Sequence, residues 1–340
     1  MPVALAKDDP VLVTGAGGFV GSVVARQLLE RGFLNIRCVV RSSAGDAKLA
    51  QLAEAFPQAK LWVIKGNLLS REDCRRAADG TALVYHLATG TGKSFPGCVL
   101  DSTVATRNLL DTVADARGLR RFVNVSSFAV YSNMGLRRGA VLDETCLVER
   151  SYRERFDAYG YAKTKQDDLV VSYGLERGLR YTILRPGVVF GPGRAGSILG
   201  RCGVDTFGFF MHVTGQHQIP LTYVDNCAEA IVMAGLADGA DGEVFNVVDD
   251  DLPSSSQLLR AVKRNLGRFF SVRAPYRLFL AFCVGWEKYS AWSEGQLPPV
   301  FNRRMCAAYH KGNQYTNEKL KRLIGWTPRV PMEQALARYF

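Results

Sequence analysis

Between Val13 and Gly21 the chain reads Val-Thr-Gly-Ala-Gly-Gly-Phe-Val-Gly. The apolar run Val11, Leu12, Val13 leads into it, and Val20, Val23, Val24, Gln27 and Leu28 follow at helical spacing. A buried strand must therefore turn into a helix within a few residues. Gly15 allows the tight turn, Gly18 lets the backbone approach a pyrophosphate, and Gly21 lets helix and strand pack closely. The free N–H groups and dipole of the helix start attract the anion. A dinucleotide site is the expectation, with a glycine-rich structural turn as the alternative.

The rest of the first half alternates in type. Ile36–Val40, Leu61–Ile64, Ala82–Leu87 and Phe122–Val125 are short apolar or β-branched runs, separated by helical stretches near Ala47–Ala55, Arg71–Ala78 and Val99–Ala116. Such alternation predicts β-α-β units and an α/β, doubly wound parallel sheet. Tyr159–Arg177 is a long amphipathic helix, and Tyr181–Leu184 is the strand after it. Beyond residue 190 come a loop with Gly191, Pro192, Gly193 and Gly196, a helix over Asp225–Leu236 and a strand over Val244–Val247. A helix over Ser254–Leu266 follows, with Ser254 or Ser255 as its cap, and then a mostly helical remainder. At 340 residues the chain exceeds one core. The predicted division is a dinucleotide-binding unit at 1–190 and a smaller substrate-binding region at 191–340, with 220–250 partly returning to the sheet.

Eight cysteines stand singly with no Cys-x-x-Cys, so neither a zinc site nor a disulfide framework is expected, and a reducing cytoplasm fits. The first ten residues lack an apolar signal core, and no stretch approaches the ~20 apolar residues of a membrane span. The net charge of +11 is spread over pairs such as Arg120-Arg121 and Arg303-Arg304, without a nucleic-acid motif. No nucleic-acid partner is expected. Among the histidines, His86 follows a strand and reads as packed. His212 and His217 flank a polar loop near the substrate region, and no metal spacing occurs.

At the end of the second strand an acid would accept the ribose hydroxyls of NAD; the chain has Arg41, then Ser42 and Ser43. A guanidinium matches a 2′-phosphate, so NADP is expected over NAD, the alternative being a surface arginine. Asn67 and Leu68 follow the third strand, and Leu87, Ala88 and Thr89 close the fourth. Ser126 and Ser127 end the fifth. Tyr159 and Lys163, four apart, share a helical face. A phenol titrates near pH 10, and a neighbouring ammonium favours the phenolate, which suits a general acid or base. Tyr161 and Lys165 offer the same spacing in a second register.

Together these residues resemble the extended short-chain dehydrogenase/reductase family, also called the NAD-dependent epimerase/dehydratase family. The likeness runs through Thr14–Gly21, Gly66-Asn-Leu68, His86-Leu-Ala88, Val125-Ser-Ser127, Tyr159 with Lys163, Arg185–Pro192, Tyr223-Val-Asp-Asn226 and Leu323-Ile-Gly-Trp326. It implies a Rossmann fold and a Ser127, Tyr159, Lys163 triad acting on a small-molecule substrate, in a homodimer. It places the cofactor on Gly15, Gly17, Gly18, Phe19, Val20, Gly21, Arg41, Asn67, Leu68, Leu87, Ala88, Thr89, Ser126, Tyr159, Lys163, Pro186, Val188 and Val189. It places substrate near Phe128, Tyr131 and Gly187. Asn67 stands where that family usually has aspartate, and Ser102 where it usually has asparagine.

Dehydratases of the family carry an acidic pair after the serine position, whereas Phe128 and Ala129 stand here. Reversible hydride transfer at a secondary alcohol or ketone remains, as do a nucleotide-sugar 4-epimerase and a non-catalytic NADP-sensing regulator. Residues 274–292 are rich in aromatic and aliphatic side chains and resemble the cap over a lipophilic pocket in 3β-hydroxysteroid dehydrogenase-like members. That points to a lipophilic, sterol-like substrate; a core helix and a peripheral membrane contact are the other readings of the segment.

Overall fold

Val11, Leu12, Val13 and Thr14 have no exposed surface, the burial of a strand covered on both faces. They form β1 of a seven-stranded sheet. The others are β2 (Asn35–Val40), β3 (Lys60–Lys65), β4 (Leu83–His86), β5 (Arg121–Val125), β6 (Tyr181–Pro186) and β7 (Glu243–Val247). The order is β7-β6-β5-β4-β1-β2-β3 and every pairing is parallel. From β1 the chain winds outward one way through β2 and β3, then the other way through β4 to β7, which leaves a switch point beside β1. The computed structural model describes residues 5–41, 45–90, 94–116, 118–194, 198–206, 208–213, 217–294 and 296–340. Ser42, Ser43, Gly196 and residues 214–216 between His212 and His217 lie outside them.

Alternate residues of each strand enter different cores. Val11 and Val13 join Ile36, Cys38 and Tyr85 under α1 (Gly21–Glu30) and α4 (Val224–Leu236). Leu12, Val84 and Phe122 join Leu109 and Val170 from α2 (Ala105–Val113) and α3 (Ala158–Arg177). Edge strand β3 instead exposes Trp62 and Val63. α3 starts where the Asp157 carboxylate accepts the Gly160 N–H at 2.8 Å, and it ends at Gly178 with φ +67°. Those two signals set the register of Tyr159 and Lys163.

The region after residue 190 is mostly helical, as its sequence predicts, and it also carries short strands that the sequence does not announce. Gly203–Thr206, Phe209–Val213 and Ser271–Ala274 form a separate three-stranded sheet, with the left-handed Gly208 in its hairpin. Val188–Phe190 pairs with Leu221–Tyr223, and Val141–Leu142 with Gln314–Tyr315. These strands are two to five residues long, too short for a period-two pattern to stand out. Besides α4, the helices here are α5 (Ser255–Asn265), α6 (Tyr276–Trp292), α7 (Arg303–His310), α8 (Glu318–Ile324) and α9 (Met332–Tyr339). Ser254 caps α5 in a reciprocal box with Gln257.

Candidate active site

The β1–α1 turn fits a phosphate. Gly15 takes φ +69°, and a Cβ there would stand 2.9 Å from the Ala88 nitrogen. A Cβ on Gly21 would meet the Gly15 carbonyl oxygen at 2.2 Å. The turn is thus as tight as its glycines permit, and it opens a helix whose dipole favours an anion.

This turn forms one wall of a crevice of about 810 Å³ along the carboxyl edge of the sheet. Gly15, Gly17, Gly18, Phe19, Val20 and Gly21 line one end, with Arg41, Asn67 and Leu68 from the β2 and β3 ends. Leu87, Ala88 and Thr89 line its middle. Ser126, Ser127, Tyr159, Lys163, Pro186, Gly187, Val188 and Val189 line the other end. Residues more than a hundred positions apart therefore meet in one channel. Phe128 and Tyr131 do not line it. Both are buried beneath it with Val130, Leu142 and Val248, and the Tyr131 hydroxyl donates to Asn246 Oδ1 at 2.7 Å.

The two tyrosine registers separate here. Tyr161 packs on Phe95 and Tyr152, with centroids 5.9 and 5.7 Å away, and Lys165 pairs with Asp168. Only Tyr159 and Lys163 face the crevice. Lys163 is buried and its ammonium donates to the Val125 carbonyl at 2.7 Å. Burial brings it down to about 8, against the attraction of Asp167. Burial also raises the Tyr159 phenol above its ordinary value, opposed by a hydrogen bond with Ser127 and by the Arg194 charge. The acidified phenol expected from the sequence is therefore not found. Desolvation outweighs the charges, and the phenol holds its proton at neutral pH.

Arg41 is exposed at the rim and its guanidinium bonds the Asp101 carboxylate at 2.8 Å. Asp101 also lines the crevice, a neighbour that nothing in local spacing announces. Asn67 holds a local turn, its side-chain oxygen accepting the Leu69 N–H at 3.0 Å. Ser102 accepts the Gly90 N–H at 2.8 Å, so this shorter side chain also bridges to the β4 loop.

Behind the site lies a buried network. The Asp167 carboxylate accepts from Asn124 and Ser126 at 2.9 Å each and from Arg185 at 3.2 Å, and Arg185 lies over the Tyr131 ring. Sequence reading missed Asp167, although it follows Lys163 by one helical turn. His86 sits between Thr14 and Thr106, 2.8 Å from each, and burial brings it down to about 3, so it is a packed neutral ring. His212 bonds Ser255 and is buried away from the crevice, and His217 packs against His310. No group of three or more potential ligands for a metal occurs among the described residues.

Arg194 and Arg201 also line the crevice. Arg194 lies over the Phe19 ring at 5.4 Å and Arg201 over Tyr309 at 4.0 Å, and neither has a carboxylate partner among the described residues. By contrast, no residue of 274–292 lines it. From Tyr276 onward that stretch is helix α6, with Phe279, Cys283 and Ser290 buried below and its other face exposed.

Residues 11–247 match the model of the "NAD dependent epimerase/dehydratase family". A cinnamoyl-CoA reductase 1 of Oryza sativa subsp. japonica is 35% identical over 185 residues, 54% of this chain and 54% of that protein. The match thus spans about half the length of such reductases. A 3-beta-hydroxysteroid dehydrogenase of Mycolicibacterium neoaurum is 26% identical over 96% of this chain and 89% of its own. Among solved structures, UDP-glucuronic acid 4-epimerase from Bacillus cereus in complex with NAD superposes with a TM-score of 0.71 at 20% identity, covering 97% of this chain and 96% of that one. At that identity the likeness is one of fold.

Proposed function

This chain belongs to the NAD dependent epimerase/dehydratase family, and from that premise we propose that it reduces a ketone, or oxidises the matching secondary alcohol, with NADP(H). The observation that carries the reading is the convergence of Ser127, Tyr159 and Lys163 on the crevice that begins at the glycine turn. The turn at Gly15–Gly21 would hold the pyrophosphate and Arg41 a 2′-phosphate. Leu87, Ala88, Pro186, Val188 and Val189 would flank the remainder. When bound, the cofactor supplies or accepts the hydride.

The chain's own residues manage position and proton. Tyr159, protonated at neutral pH, gives its proton to the carbonyl oxygen in reduction and takes it back in oxidation. Ser127, already in contact with that phenol, orients the same oxygen. Lys163, fixed on the Val125 carbonyl and brought down to about 8, stands one helical turn away with a proton exchangeable near neutrality. The two guanidiniums of Arg194 and Arg201 favour a substrate bearing an anionic group over an uncharged sterol. They equally favour a second reading, a nucleotide-sugar 4-epimerase, whose substrate carries a diphosphate.

Purified protein offered NADPH with keto acids, thioesters and nucleotide sugars separates the two readings. Net NADPH consumption marks a reductase, and epimer exchange without net consumption marks an epimerase. In either case Tyr159→Phe should lower turnover about 10²–10⁴-fold, the usual share of a positioned general acid. NADPH affinity should stay within about twofold, and Tyr161→Phe should keep near-normal turnover. Full activity in Tyr159→Phe overturns the assignment.

A further inference from the structure

Helix α6 carries apolar side chains on its outer face as well as its inner one. At about 100° per residue, Leu278, Phe282, Gly285, Tyr289 and Trp292 fall within about 80° of arc, a stripe roughly 21 Å long. Leu278 is 65%, Phe282 36%, Tyr289 49% and Trp292 77% exposed. The face that packs inward is lined by Phe279, Cys283 and Ser290. Soluble surfaces scatter such side chains singly; a row of them marks a contact.

Charge identifies the contact. Between residues 264 and 292 the chain carries Arg264, Arg268, Arg273, Arg277 and Lys288, all exposed, and only one acid, Glu287. Glu287 is paired with Arg303 at 3.2 Å, while the five cations form no ion pair among the described residues. Arg277 and Lys288 border the stripe. The same stretch also exposes Leu266, Phe270 and Val272. Aromatic rings, aliphatic side chains and unpaired cations together are the make-up of a helix lying in a lipid headgroup layer.

We propose that the exposed face of α6, with Arg277 and Lys288 at its rim, seats this chain peripherally on an anionic lipid surface. A second copy of the chain is the weaker occupant. A two-fold contact through this face would bring its unpaired cations against their own copies. No helix among the described residues is long and apolar enough to cross a membrane, so the contact is one of adsorption. The inference does not rest on the proposed chemistry, because α6 contributes nothing to the crevice.

The full chain is to be sedimented with vesicles of phosphatidylcholine alone and of phosphatidylcholine with phosphatidylglycerol. It should partition onto the anionic vesicles with a blue shift of tryptophan emission, and weaken as salt rises. Arg277→Gln with Lys288→Gln should weaken partitioning about thirtyfold. Leu278→Ser with Trp292→Ser should abolish the emission shift and leave turnover and circular dichroism unchanged. Absence of binding to anionic vesicles overturns the proposal. So does binding that both double variants leave intact, or a stable dimer that dissociates in the Leu278→Ser, Trp292→Ser variant.

Discussion

Arg41 shows how a residue's chemistry and its tertiary setting combine. Its type and place at the end of β2 favour a 2′-phosphate, yet its guanidinium already bonds Asp101, sixty positions away. An ion pair this exposed contributes at most about 1 kcal/mol, yet the balance between cofactors depends on the carboxylate as well. Arg41→Ala should erase any greater thermal stabilisation by NADPH than by NADH. Asp101→Asn, which frees the guanidinium, should widen it by up to about fivefold in relative affinity. Equal shifts with the two cofactors in the unaltered protein would remove the role given to Arg41. The residue types at Ser127, Tyr159 and Lys163 were legible as a group. The state of the phenol was not, because desolvation depends on what packs around it.

At the scale of elements, the strand–turn–helix at β1 and α1 is the most strictly determined part of the chain. Gly21→Ala would drive a methyl group against the Gly15 carbonyl. An overpacked site of this kind costs typically about 1–3 kcal/mol. The urea midpoint should fall accordingly, and the cofactor should stabilise the variant less, since the loop must open to relieve the clash. A neutral result would mean that α1 shifts freely along β1. The long apolar strands and helices of the first half were legible because both periods persist over enough residues to be distinct. The short strands between 188 and 223 were not. Which of Tyr159 and Tyr161 faces the crevice was likewise decided by the cap at Asp157 and the packing of Tyr161 on Phe95, since both tyrosines fit the spacing equally.

For the whole molecule, buried histidines set the acid limit. Burial brings His86 and His310 down to about 3 and His212 to about 4. Unfolded, each would titrate near about 6.5, so between those values the unfolded chain binds up to three more protons. Buried Asp249, pushed up to about 7, acts the opposite way, as does Asp167, also raised. Three groups oppose two, and stability should rise with pH from about 4 to about 6.5. Urea unfolding at pH 5 and pH 7 with an unchanged slope checks this; a higher midpoint at pH 5 would contradict it.

The sequence alone determined what is local and periodic: a glycine turn too tight for any side chain, strands apolar on both faces, and a tyrosine and lysine one helical turn apart. Each follows from contacts within a few residues, where covalent spacing nearly fixes geometry. Only the tertiary structure decided that Asp101 meets Arg41, that Asp167 and Arg185 buttress Lys163, and that two arginines rather than an aromatic lid border the crevice. Those meetings join distant parts of the chain, and burial, which sets their charges, is a property of the packed whole.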